Sequence, residues 1–303
     1  MLNKFIPPGW TYNPSTFSQR IYIVILAFIG SAISLYLALF QYEVIDDVWE
    51  PFFGEGSRKI LMSPTSFILP VSDAALGALA YLIDAITGII GGPARWQKMP
   101  LMVIIFGFFV GPLSIVSIAL VIAQPVLYHQ WCTLCLVSAV ISIIIVGPSM
   151  DEVLASLQYL KRIKQEGKSM VPFLGGRAVQ EVKYSTLAAP PQNKFLVWPL
   201  WVCMVLSVLL IFSANVFKSA TANIYYVICP LILTCSCIAL WETTRSFRYL
   251  NIFWAVLFLL LLSINEGMNQ LANMLIAIVI IILSLIPLEY RHQFDGGWKI
   301  LLK

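Results

Sequence analysis

Apolar residues run along this chain in long, nearly unbroken blocks separated by short polar segments. The pattern lacks the alternation of a half-buried strand and exceeds the stripe of a surface helix. A bilayer-spanning helix needs roughly 20 mostly apolar residues. Eight blocks approach that length: Ile21–Phe40, Ser72–Ile90, Leu101–Gln124, Cys132–Val146, Leu196–Ala214, Ile224–Trp241, Leu250–Ser263 and Leu271–Pro287. The pattern predicts an all-α integral membrane protein with eight spans, a four-helix bundle followed by a second four-helix membrane half. The first block follows a polar, Pro-rich stretch and lacks a small-residue cleavage site, so it reads as a retained anchor.

Local signals divide the chain further. Gly91-Gly92-Pro93 stops the second span. Ser149-Met150-Asp151-Glu152 has the Ser-x-x-Glu form of a capping box and predicts a new helix start. Val153, Leu154, Leu157, Leu160 and Ile163 then form an apolar stripe beside Lys161, Arg162, Lys164 and Lys168. That predicts an amphipathic helix on the cytoplasmic membrane surface. A Gly- and Pro-punctuated linker follows as far as Lys194. The expected units are residues 1–148, 149–194 and 195–303. Ala222-Asn223 and Ala272-Asn273 open the second helix of two hairpins in the last unit, a weak sign of duplication.

Composition and charge agree with the pattern. Only 11% of residues are charged, against about 25% in soluble domains. Of the 19 Lys and Arg, 16 fall in alternate segments that include both termini. By the positive-inside rule those segments, and both termini, are expected in the cytoplasm. The opposite side holds only Arg58, Lys59 and Lys218, and carries Glu43, Asp46, Asp47, Glu50 and Glu55. The net charge of +4 then follows from topology and implies no nucleic-acid partner; lipid is the expected surroundings.

The chemistry to explain is Trp131-Cys132-Thr133-Leu134-Cys135, at the expected outer start of the fourth span. Residues three apart share a helix face, and disulfides persist in oxidising compartments rather than the cytoplasm. The charge-derived orientation puts both thiols on the oxidising side. Thiol–disulfide exchange beside the bilayer is therefore the favoured reading, and packing by free cysteines the bland one. A zinc site is not expected, because His129 is the only further ligand nearby. Covalent haem is excluded because Leu136, not His, follows the second cysteine. His129 and the intramembrane Asp84 are candidates for a proton relay.

From about Arg20 to Val146 the chain resembles the vitamin K epoxide reductase family: four helices, a long external loop after the first, and Cys-x-x-Cys at the outer end of the fourth. Asp73, Gly77 and Tyr81 are similar to the family's pattern of a polar residue, a Gly and a Tyr at intervals of four. The resemblance implies a membrane oxidoreductase that passes electrons from an exported thioredoxin-like protein to a membrane quinone. Cys135 would face the quinone and Cys132 the thiol partner. Asp73, Gly77 and Tyr81 would line the quinone site. Asp73 has a second reading, as the cap of the second span. Two departures stand out. The external loop has Trp49 and Ser57 where the family places a relay pair of cysteines, and Ala139 stands where some members have a quinone-contacting Tyr. A non-catalytic membrane scaffold is the rival function, and a transporter a weaker third.

Gly107-x-x-x-Gly111 and Pro112 predict close, kinked helix packing. Cys203, Cys229, Cys235 and Cys237 are expected to pack. Trp131, Tyr128 and Tyr225 are expected in an interfacial belt.

Overall fold

The structure is a computed structural model, described for residues 5–67, 70–167, 197–216, 222–264, 270–288, 290, 292–294 and 297–302. Most of the predicted linker lies outside these residues. The named elements are all helical. In chain order they are α1 (Phe17–Gln41), α2 (Gly56–Leu61), α3 (Asp73–Ile89), α4 (Arg95–Lys98), α5 (Pro100–Leu127), α6 (Thr133–Gln165), α7 (Trp198–Val216), α8 (Ala222–Ile238), α9 (Arg248–Ile264), α10 (Gln270–Leu285) and α11 (Lys299–Leu302). Every predicted span falls on a helix. Among the described residues, five helices, α1, α5, α6, α7 and the helical stretch ending at Ile264, are long and apolar enough to cross a bilayer.

Helices α1, α3, α5 and α6 form the first bundle. Without a hydrophobic driving force between helices in lipid, close packing depends on small residues. Gly30 of α1 lies under the Tyr81 ring of α3, and Gly88 of α3 meets Val24 of α1. A Cβ on Gly30 would stand 2.8 Å from the Tyr81 ring. Gly30→Ala is expected to cost about 1–3 kcal/mol by overpacking, read as a lower thermal midpoint in detergent. Gly107 of α5 faces Val153, whereas Gly111 has open space beside it, so one glycine of the predicted pair makes the close approach.

The predicted capping box is overturned. Helix α6 runs unbroken through Pro148 and Ser149, and the Ser149 hydroxyl donates to the Ile145 carbonyl at 2.7 Å. Glu152 does not reach back to an N-cap. It forms an ion pair with Arg95 at 2.8 Å and accepts from the Ser15 hydroxyl, all buried. Part of the stripe is covered by protein: Leu154 and Ile163 pack with Trp10 and Trp96. A buried Arg–Glu pair costs several kcal/mol to leave half-made, so tertiary pairing outweighs the local signal.

Helices α7–α10 form the second bundle around Cys203, Cys229, Phe258 and Ile280. Its four cysteines are free, three of them buried, as a packing role requires. Tyr225 is not in an interfacial belt: it is 4% exposed and accepts from Asn273 at 2.8 Å inside the bundle. Trp131 is also drawn inward, edge-on to Tyr226 of α8 with centroids 5.8 Å apart. The second bundle therefore packs against the residue that precedes the Cys-x-x-Cys.

Candidate functional site

Cys132 and Cys135 are joined as a disulfide, with Cα atoms 5.3 Å apart. Cys132 is the N-cap of α6, and its sulfur accepts the Cys135 N–H at 3.2 Å. The Cys132 N–H in turn donates to the Gln124 side-chain oxygen at 3.1 Å. The chain reverses between α5 and α6 at His129, which holds a left-handed φ of 52°. This reversal lets Gln124 reach across to the cysteine pair.

The two sulfurs face different surroundings. Cys135 forms part of the wall of a cavity of about 690 Å³, within the range of small-molecule sites. The wall is mostly apolar and comes from α1, α3, α5, α6 and the loop before α3. Asp73, Gly77 and Tyr81 all line it, so the three predicted contact residues are brought together with Cys135. Ala139 lines it too, where a Tyr would have taken space.

Asp73 is not the cap of α3. Ser72 is, accepting from the Ala75 N–H at 3.1 Å. One Asp73 oxygen instead accepts from the buried Gln41 amide at 2.8 Å. Tyr81 donates to the Ser138 carbonyl at 2.6 Å, which ties α3 to α6 about one turn below Cys135. Asp84 is 1% exposed, one turn beyond Tyr81 and outside the cavity wall. His129 is exposed and also outside that wall.

Cys132 has none of its surface exposed. The loop between α1 and α3 is seated on its two neighbours, Trp131 and Thr133, and Glu50 holds the loop down. The Glu50 carboxylate accepts from the Thr133 N–H at 2.8 Å, from the Thr133 hydroxyl and from the buried Ser57 hydroxyl. It also accepts from Phe52 and Phe53 N–H, both at 3.2 Å. Gly56 lies so close to the Trp131 carbonyl that a side chain there would collide. A carboxylate near the first turn of a helix is further favoured by the helix dipole. Ser57, in the place of a relay cysteine, therefore hydrogen-bonds the clamp.

Burial by itself would raise the Glu50 carboxyl, but hydrogen bonds from Ser57 and Thr133 outweigh it and hold the group at about 2. A depressed folded value means a stabilising contribution present above the unfolded carboxylate range and lost as pH falls through the folded value. The clamp is expected to be complete at neutral pH and to weaken between about 4.5 and 2. Trp131 fluorescence followed against pH should change across that window and not above it.

Glu50, Gln124, Gln41 and Ser138 are the site residues that the sequence does not single out. The one available hint was the acidic cluster that contains Glu50.

Residues 21–149 match the model of the Vitamin K epoxide reductase family. No curated protein and no solved structure matches the chain.

Proposed function

We propose that this chain, whose N-terminal half carries a Vitamin K epoxide reductase family domain, is a membrane thiol oxidoreductase that passes electrons from an external thiol protein to a quinone. The observation that carries the reading is Cys135 in the wall of the 690 Å³ cavity, with its bonded partner Cys132 buried outside that wall. One sulfur meets a lipid-soluble acceptor and the other meets an aqueous donor.

The steps balance. A partner thiolate attacks Cys132 and expels Cys135 as a thiolate, which takes up the proton the partner thiol lost on ionising, leaving a mixed disulfide. The partner's second thiolate resolves that bond and leaves as a disulfide, so Cys132 and Cys135 are both thiols. A quinone in the cavity then takes two electrons and two protons as the Cys132–Cys135 bond re-forms. The thiols supply both protons, and Asp84 and His129 are the residues that would relay them.

The remaining finer points belong to the same reading. All eight apolar helices cross the bilayer, both termini are cytoplasmic, and the redox pair lies on the non-cytoplasmic side of a cell membrane. Asp73, Gly77 and Tyr81 contact the quinone, and Asp73 donates to a quinone carbonyl when protonated. The exported partner is a thioredoxin-like protein.

The sealed Cys132 and the loop without cysteines favour a second reading, a scaffold that keeps the bundle without turnover. Alkylation separates the two. Reduced, purified protein is treated with a quinone and then with a thiol-alkylating reagent under denaturing conditions. Protection of Cys132 and Cys135 supports the oxidoreductase; equal labelling with and without quinone supports the scaffold.

A further inference from the structure

The loop that Glu50 fastens carries an unusual outer face. Trp49 and Phe52 are 61% and 76% exposed, and Phe53 is partly exposed beside them. Phe52 and Phe53 stack edge-on, and Phe53 continues inward to Trp131 with centroids 6.5 Å apart. Around this ridge stand Glu43, Asp46, Asp47 and Glu55, all exposed. The cations of the segment are Arg58 and Lys59, and Arg58 is already engaged by Asp47 at 3.2 Å and Glu55 at 3.5 Å. Residues 42–59 therefore carry a net charge of −3.

We propose that this ridge is the docking surface for the thiol partner, and that it fits a protein with an apolar patch flanked by lysines or arginines. The inference rests on the redox reading of Cys132 and Cys135 and adds the chemistry of their partner. Exposed aromatics surrounded by rim charges are the arrangement of a binding centre with an electrostatic rim. The acidic rim argues for a basic protein surface over lipid, because phosphate headgroups repel carboxylates. It also steers a cationic partner, worth about tenfold or more in association. The ridge sits over the clamp: Glu50 lies between Trp49 and Phe52. A partner seated there is in contact with the segment that Glu50 fastens.

The test uses full-length protein in nanodiscs of zwitterionic lipid and needs no redox chemistry. Two fluorescent Leu-rich peptides without cysteine, one carrying lysines and the other glutamates, are titrated against it, with empty nanodiscs as blank. The lysine peptide is expected to bind about tenfold tighter than the glutamate peptide. That preference should vanish in the combined Glu43→Gln, Asp46→Asn, Asp47→Asn, Glu55→Gln variant. It should also vanish at about 1 M salt, where the screening length is about 3 Å. Trp49→Phe should weaken both peptides. Equal binding of the two peptides, or a preference that survives the neutralised rim, overturns the proposal. Quenching of Trp49 by brominated lipid, measured against Trp49→Phe, would place the ridge in the bilayer and also overturn it. Because these peptides bear no thiol, the redox reading stands or falls separately, on reduction of the pair by dithiothreitol and its reoxidation by quinone.

Discussion

Cys135→Ala is expected to abolish quinone reduction. Cys135 is the sulfur in the cavity wall, and Cys132 is buried outside it. Quinone needs two electrons, and the protein provides them by joining two thiols into one bond. With Cys135 gone, Cys132 can form a mixed disulfide with a partner but has no intramolecular thiol to displace it. A two-electron step then has no donor, and the loss should exceed about 10³-fold, the scale seen when an essential catalytic group is removed. The check is quinone absorbance followed with dithiothreitol as reductant, with the thermal midpoint of the reduced wild type as the stability reference. Turnover in Cys135→Ala at a tenth of the wild-type rate would sink the assignment. Cys132→Ala should be equally inactive, and its remaining Cys135 should be labelled by a lipophilic maleimide and spared by quinone bound in front of it.

Glu50→Ala is expected to open the loop. The carboxylate gathers donors from Ser57, Thr133, Phe52 and Phe53. A hydrogen bond to a charged group contributes about 1.5–3 kcal/mol, and the lower end applies because water reaches this carboxylate. Losing about 1.5 kcal/mol from the closed state raises the open population about tenfold. Cys132 in the reduced protein should then react with a polar maleimide about tenfold faster than in the wild type, with Cys135 labelling changed much less. Glu50→Gln keeps the shape but loses the charge, and its rate should fall between the two. Ser57→Ala removes one donor and should have a smaller effect in the same direction. If Glu50→Ala labels at the wild-type rate, the loop is held by something else, and the sealed Cys132 needs another explanation.

The two results bear on how a loop without cysteines serves the site. A relay pair would pass electrons through the loop. Here Ser57 is turned inward onto Glu50, and no thiol stands above Cys132. The loop is fastened to α6 by the Glu50 carboxylate and by Val48 and Leu61, which pack with Leu134 and Cys135. Under the docking proposal, a partner seated on the aromatic ridge touches the segment that Glu50 fastens.

The membrane class, every helical block and the cysteine pair were legible in the sequence. Each depends on properties that a short stretch of chain carries by itself. Apolar runs are long because the bilayer is thick, and Cys-x-x-Cys is close because a helix turn is short. Asp73, Gly77 and Tyr81 were legible through the resemblance to the family's pattern, and they do converge on the cavity with Cys135. Local signals failed where distant residues outbid them. The Ser149–Glu152 signature suggested a helix start, but Glu152 is claimed by Arg95 and Ser15, so α6 continues. Tyr225 looked interfacial, but Asn273 on another helix takes its hydroxyl.

By itself, the order of apolar and polar residues determined that this chain builds helices for a bilayer and sets two thiols within bonding reach. Which of five similar acids would grip Thr133, and which sulfur would meet the cavity, was decided only when the chain folded back on itself. Glu50 reaches across 83 positions of sequence to α6. A hydrogen bond over that separation has no local signature, because its energy exists only after the bundle has brought the two ends together.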